Sequence, residues 1–417
     1  MITSAPKGTK DVTPAESYKW RYIESVMRDT CDTFGYREIR TPAFEHTELF
    51  LRGVGQTTDI VQKEMYTFTD KGNRSVTLKP EGTAGVVRAF IEDRIYADAQ
   101  PTKMFYLYCP VFRYERPQAG RLREHHQFGV EVFGAPDASA DAEIIALAFD
   151  VFQKLGVREL TLNINSIGCE KCRPEYTKRL KEYFAPHIND MCEDCKRRID
   201  QNPLRLLDCK KCATVAKDAP SMLDSLCDDC AQHFVHLKRY LTALGLDYTI
   251  NPRIVRGLDY YTKTVFEIIS THAGSQGTVC GGGRYDRLVE EIGGPPMAGV
   301  GFGMGMERLL LVMGNQGVEI PRPPLCDVFF CTYGEAAKTQ AVALCGGLRQ
   351  KGIKAEVDHA RRSMKAQFKY ADKIGATYTV VIGDDELAKG VVKLKNMQSG
   401  VEREIETARL ADAITLK

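Results

Sequence analysis

The sequence predicts an α+β main domain with a mainly antiparallel sheet, a small helical cysteine-rich insertion, and a C-terminal α/β domain. Three features lead there. Two strand-like runs flank an arginine-rich turn at 105–134, four CxxC pairs fall within 169–230, and prolines at 321–324 precede alternating strand and helix patterns. At 417 residues the chain exceeds one ordinary core and implies two or three domains.

Composition narrows the class. With 43% hydrophobic and 27% charged residues, the makeup is that of a soluble globular protein. The formal net charge is only +2, so any nucleic-acid surface must be local, at patches such as 113–123 and 361–373. No apolar run approaches the ~18 residues of a membrane helix. The start, MITSAPKGTKDVTP, has no apolar signal core, so no membrane partner and a cytoplasmic location are expected.

In chain order, residues 15–34 place Trp20, Ile23, Met27, Cys31 and Phe34 at three- and four-residue steps, the period of an amphipathic helix, and Gly35 supplies the stop. Residues 36–44 alternate like a strand in which Pro42 marks an edge. SVTLKPEGTAGVVRAF, 75–90, reads as strand, turn and helix. Glu81 and Thr83 sit at its junction, where they can face a ligand or cap the helix. The hairpin 105–134 carries Arg113, Glu115, Arg116, Arg121 and Arg123. Guanidinium forks match phosphate oxygens bidentately, and Glu115, Gln127 and Glu131 add acceptors, which suits a nucleotide held beside a cationic or hydrogen-rich substrate. A helix over 141–155 and a strand over 159–164 follow.

Eight of the 14 cysteines form the pairs Cys169/Cys172, Cys192/Cys195, Cys209/Cys212 and Cys227/Cys230. In a reducing compartment two thiolates on one turn chelate a tetrahedral Zn2+ and a second turn completes the shell. Two four-thiolate sites are possible, with the pairing open. The insertion is broken by Pro174, Pro186, Pro203 and Pro220 and is expected to consist of short helices that lean on metal. The six isolated cysteines read as core filler. Helical pattern resumes at 233–244, and 253–269 and 277–292 read as two strands around the loop 270–276, then a helix from Tyr285. Gly281, Gly282 and Gly283 remove every Cβ where a substrate or strand could approach, or form a bulge. Pro321, Pro323 and Pro324 make a stiff linker. Beyond it, 327–332, 355–358 and 378–382 imply largely parallel strands, and Arg361, Arg362, Lys365, Lys369 and Lys373 form a stretch able to face RNA.

RYERPQAGRLREHHQFGVE resembles motif 2 of class II aminoacyl-tRNA synthetases and is similar to that motif in histidyl-tRNA synthetases. RIVRGLDYYTKTVFEII and GTVCGGGRYDRLVEEI are similar to two peptides specific to that family, GVGFGMGMERLLL resembles motif 3, and the helix, strand and proline of 15–44 resemble motif 1. The C-terminal region resembles the class IIa anticodon-binding domain. The chain departs from the family pattern at His125, usually Phe, and at Lys79, usually Arg.

The resemblance implies a bacterial-type enzyme with a class II catalytic domain at 1–168 and 240–322, a cysteine-rich insertion at 169–239 and an anticodon-binding domain at 325–417. It implies a homodimer that ligates L-histidine to histidine tRNA through histidyl-adenylate made from ATP, with Mg2+ on the phosphates. Arg256 and Arg113 would be catalytic, Arg256 across the α-phosphate and Arg113 clamping that phosphate and the carboxylate. Glu115 would orient the adenine, Arg121 would hold the outer phosphates, and Arg308 would lie against the γ-phosphate or the ring. Histidine would be bound by Arg113 and Arg256, by Glu81 and Thr83 at its amino group, by Gln127 at its carboxylate, and by Glu131 and Tyr261 at the imidazole, with Tyr260 closing the pocket. Arg116 and Gln118 would meet the tRNA acceptor end. Structural Zn2+ on the eight paired cysteines would fold the insertion and take no part in adenylation.

Two other readings compete. A non-catalytic histidine-binding regulatory paralogue shares the fold, but such paralogues generally lack the C-terminal domain and the arginine of RGLDYY, both present here. A zinc-ribbon RNA-binding protein would leave the arginine hairpin and the glycine run idle.

Overall fold

In the computed structural model, which describes residues 3–55 and 58–414, the chain divides into two units, Met1–Ile320 and Pro321–Lys417. In the first, β1 (Arg37–Glu38) begins the main sheet, while β2 (Phe44–His46), β3 (Tyr66–Thr69) and β4 (Ser75–Leu78) form a separate sheet in the order β2-β4-β3. The single strand expected over 36–44 is therefore two pieces in different sheets. Pro42 cannot donate to a ladder, and the chain changes sheets there.

Seven more strands complete the main sheet: β5 (Thr102–Phe112), β6 (Glu124–Phe133), β7 (Leu160–Ser166), β8 (Thr249–Ile250), β9 (Thr262–Ser270), β10 (Thr278–Arg284) and β11 (Gly299–Gly305). Their order is β1-β5-β6-β11-β10-β9-β7-β8. Only the end pairs, β1 with β5 and β7 with β8, are parallel. The segment 253–261, expected as strand, is irregular and β9 begins only at Thr262.

Alternate side chains along a strand point to opposite faces. Phe128, Val130 and Val132 of β6, Phe266 and Ile268 of β9, and Val300, Phe302 and Met304 of β11 share one core with the helices Ser17–Thr33, Ala138–Lys154, Asp228–Ala243 and Met306–Asn315. Trp20, Ile23, Met27 and Cys31 enter that core at the predicted steps, and Gly35 ends their helix with φ 78°. Ala138–Lys154 is started by Asp137, whose carboxylate accepts from the Ser139 N–H at 2.8 Å. Arg284, fully buried at the end of β10, pairs with fully buried Asp141, which His233 also approaches at 3.2 Å. This pin fixes β10 to two of the four helices.

The other face presents Gln127, Gly129 and Glu131, in register with Gly305, Gly303 and Gly301, which continue onto Gly281 and Gly283. Helix Thr83–Glu92 covers part of it through Val86, Val87 and Phe90. The insertion folds as short helices, Arg173–Phe184, Glu193–Gln201 and Ala213–Ala216, joined by 3-10 turns around a small core that includes Tyr176, Leu180, Phe184 and Leu206.

In the second unit β12 (Val328–Thr332) pairs in parallel with β13 (Ala355–Val357) and β14 (Tyr378–Ile382). The expectation of largely parallel strands is incomplete, because β15 (Val391–Asn396) and β16 (Glu402–Glu406) add an antiparallel hairpin. Its outer strand, EREIE, is charged and mostly exposed, so Ile405 alone carried an apolar signal.

Candidate active site

The hairpin loop, β9 to β11 and the segment 255–257 enclose a cleft of about 660 Å³ on the glycine-bearing face. Five arginines, Arg113, Arg121, Arg205, Arg256 and Arg308, line it against three carboxylates, Glu115, Asp208 and Glu267. That excess favours a polyanion. His125 adds no charge, because burial and then Arg113 push its imidazole down to about 3.

Each arginine is aimed by a second group. Arg113 follows β5 and donates Nε to the Pro80 carbonyl at 2.8 Å. Burial lowers its pKa while Glu64 and Glu115 oppose that shift. Arg121 pairs with Glu115. Arg308, from the helix Met306–Asn315, donates to the Thr278 carbonyl at 2.6 Å. Arg256 Nη1 meets Glu267 Oε1 at 2.5 Å, and Glu267 also accepts from Thr278 Oγ1 at 3.2 Å. Burial works against the Arg256 charge, but Glu267 and Tyr261 together outweigh it and leave the group above its ordinary value.

The glycines are needed for room, since neither Gly281 nor Gly301 has a positive φ. A Cβ on Gly281 would sit 2.6 Å from the Arg256 guanidinium, and one on Gly301 would run into the Glu131 carboxylate. The strand approach expected of the glycine run is seen where Gly282 closes on β11 and Gly283 on β9, Gly281 leaves space for Arg256, and the register with β9 shifts between Gly283 and Arg284.

Glu81, Thr83, Glu131, Tyr260 and Tyr261 are all buried and come together beneath the helix Thr83–Glu92. Glu81 does cap that helix, accepting from the Thr83 and Ala84 N–H groups at 2.7 Å each. Thr83 Oγ1 donates to Glu131 at 2.7 Å, and the Tyr285 hydroxyl bonds the other Glu131 oxygen. Burial pushes the Glu131 carboxyl up to about 8 despite those bonds. Tyr260 and Tyr261 pack ring to ring at 4.7 Å, and Gln127 lines the cleft itself. Arg116 and Gln118 are exposed at the tip of the hairpin loop, where Gln118 and Arg121 exchange backbone hydrogen bonds. Sequence reasoning missed Tyr285, Glu267, Arg205 and Asp208. Tyr285 directly follows the glycine run and Glu267 lies on the cleft-facing alternation of β9, which are usable signals; Arg205 and Asp208 arrive from the insertion and left none.

Residues 8–309 match the family model described as histidyl-tRNA synthetase. The chain belongs to this family. Residues 327–416 match an anticodon-binding domain. A histidine–tRNA ligase of Caldanaerobacter subterraneus subsp. tengcongensis is 60% identical over 416 residues, 99% of this chain and 100% of that protein. Another, from Thermoanaerobacter sp. (strain X514), is 59% identical over 99% of each. The crystal structure of apo S. aureus histidyl-tRNA synthetase is similar at TM-score 0.85 and 40% identity, covering 99% of this chain and 100% of that one. The main sheet is thus that of a class II histidyl-tRNA synthetase catalytic domain. Full-length identity to ligases sets aside the non-catalytic regulatory alternative.

The synthetase's insertion resolves the cysteine pairing left open by sequence. Cys169, Cys172, Cys227 and Cys230 form one cluster, and Cys192, Cys195, Cys209 and Cys212 another. Four thiolates at about 2.3 Å from a tetrahedral Zn2+ stand about 3.8 Å apart. Here Cys169 lies 3.7 Å from Cys172 and 3.8 Å from Cys227, and Cys192 lies 3.6 Å from Cys209. Backbone N–H groups of Cys227 and Cys192 point at Cys172 and Cys212 sulfurs at 3.1 and 3.3 Å, donors that suit thiolates. Both sets fit structural zinc. Among the described residues, no helix is long and apolar enough to cross a membrane.

Proposed function

We propose that the chain charges histidine tRNA in the two steps of its family, with the residue roles set out below. The reading rests on one observation, that four motif arginines open into a single cleft also lined by Gln127, on the strand that carries the buried carboxylate of Glu131. The histidine carboxylate attacks the α-phosphorus of ATP and pyrophosphate leaves; the 3'-terminal ribose hydroxyl then attacks the histidyl carbonyl and AMP leaves. The first step brings two anions together, so Arg113 holds both in line and Arg256 meets the charge that grows on the α-phosphate. Arg121 and Arg308 take the outer phosphates and Glu115 the adenine. Mg2+ would sit mainly on the β- and γ-phosphates, since Glu115 and Glu267 are already held by arginines. Glu81, Thr83 and Gln127 hold the histidine backbone groups, Glu131 and Tyr261 its ring, and Tyr260 closes over it. Arg116 and Gln118 face the acceptor end of the RNA. Phe44 and Phe68, 55% and 49% exposed, leave apolar surface that a homodimer would cover, and the setting is cytoplasmic. Histidine-dependent exchange between ATP and pyrophosphate tests the reading; bound ATP without exchange would sink it.

Ionisation of Glu131 makes histidine binding pH-dependent. An imidazole N–H needs the carboxylate form, yet with its carboxyl at about 8 the empty site is largely protonated at pH 7. Histidine affinity should rise about fivefold from pH 7 to 8, where the ligand's imidazole is already neutral. Calorimetric titration should show that slope, and Glu131→Gln should lose it together with most of the affinity; a flat wild-type profile would refute the role. Stability runs the other way. A raised carboxyl contributes stability that is complete below its unfolded pKa and is lost as pH rises through about 8.

Removing residues 321–417 should preserve adenylate formation and cut RNA charging steeply, because the basic stretch near Arg361 and Lys365 leaves with that unit. Charging by the truncated protein at the full-chain rate would overturn the assignment of RNA contacts to it.

A further inference from the structure

Segment 253–261 carries Arg256 but has little regular structure to hold it. Among the described residues, only the backbone N–H groups of Ile254 and Asp259 within it donate to backbone carbonyls. Side chains of the cysteine-rich insertion supply other anchors. Arg205 Nη1 donates to the Arg256 carbonyl at 2.8 Å, Asn202 Nδ2 donates to Asp259 at 2.9 Å, and the Arg173 guanidinium reaches the Tyr261 carbonyl. In the opposite direction, Arg253 donates to the insertion's Ala219 carbonyl at 2.5 Å.

Arg205 is distinguished by its place. It lies in the turn Pro203–Leu206, its side chain is 13% exposed, and it lines the cleft. The cluster of Cys192, Cys195, Cys209 and Cys212 brackets the loop 196–208, which carries Asn202 and Arg205, so a metal held by these four thiolates would restrict the loop before it docks. Arg256 is thereby held twice, at its guanidinium by Glu267 and at its main chain by Arg205.

We propose that Arg205 is a positioning residue for adenylation: it clamps the main chain of Arg256 from the insertion and so aims that guanidinium into the nucleotide cleft. This rests on the reading of Arg256 as the α-phosphate arginine. A misaimed charge loses transition-state stabilisation while ground-state binding survives, because the other arginines still hold the substrate.

The test compares Arg205→Ala, Arg205→Lys, Arg256→Ala and the double Ala variant in the metal-loaded full chain. Arg205→Ala should lower the single-turnover rate of histidyl-adenylate formation about tenfold, the size of one charge-assisted hydrogen bond, with ATP and histidine dissociation constants within about twofold of wild type. Metal content should not change, and amides 253–261 should exchange hydrogen faster. Arg205→Lys should recover most of the rate, since an ammonium can still serve one carbonyl. The double variant should be no slower than Arg256→Ala. An unchanged rate in Arg205→Ala, a loss expressed as weaker ATP binding, or multiplicative losses in the double variant would each overturn the clamp. If Arg256→Ala itself kept the wild-type rate, the underlying reading of Arg256 would fall first and the clamp with it.

Discussion

Arg256→Ala is expected to slow histidyl-adenylate formation by about 10²- to 10³-fold, the scale seen when one fixed donor to a developing oxyanion is removed. Histidine and ATP affinities should change far less. The asymmetry follows from where the charge sits. Arg113, Arg121 and Arg308 also line the cleft and can hold the ground-state phosphates, whereas Arg256 is fixed from two sides and points across the floor cleared by Gly281. Gly281→Ala gives an independent approach to the same point, because its Cβ would displace the guanidinium without removing it. Displacement by about 1 Å can cost about 10²-fold. Single-turnover adenylation with radiolabelled ATP reads both. If Arg256→Ala raised the dissociation constant of ATP and left the rate at saturation intact, the residue would be a binding arginine and the catalytic role would be wrong.

What the sequence disclosed and what it hid divide along a physical line. Local chemistry was legible: the helix Ser17–Thr33 from its apolar steps, the arginines of the hairpin loop from their density, and the gathering of the four CxxC pairs into groups with the spacing to hold a metal. Groups whose partners are distant were hidden. Which cysteine pairs share a cluster depends on how the insertion folds back, since Cys169 meets Cys227 across 58 residues. The strand read across Pro42 failed because the pattern of alternation does not say which sheet a residue joins. Arg205 lies in a polar insertion and left no signal in the sequence. Only the docking of that insertion against 253–261 gives it a role, and the same docking alters what metal should do.

Removing the metal should therefore have the largest effect of all. Two zinc ions per chain are expected by elemental analysis, and apparent binding free energies of about 10–16 kcal/mol per structural site exceed any single side-chain contribution. The insertion's small core sets Cys172, Cys195, Cys212 and Cys230 among its apolar side chains, so without metal it should melt locally while the main sheet stays folded. RNA charging should then be lost. Adenylation was expected to be spared, but the bonds from Arg173, Asn202 and Arg205 to Tyr261, Asp259 and Arg256 would go with the insertion, and histidine-dependent pyrophosphate exchange should fall at least as far as in Arg205→Ala. Chelation followed by thiol titration, circular dichroism and exchange kinetics on one sample separates the possibilities. A metal-free protein whose eight paired thiols titrate freely while exchange runs at the wild-type rate would show that the clusters support neither the insertion's fold nor the segment that aims Arg256.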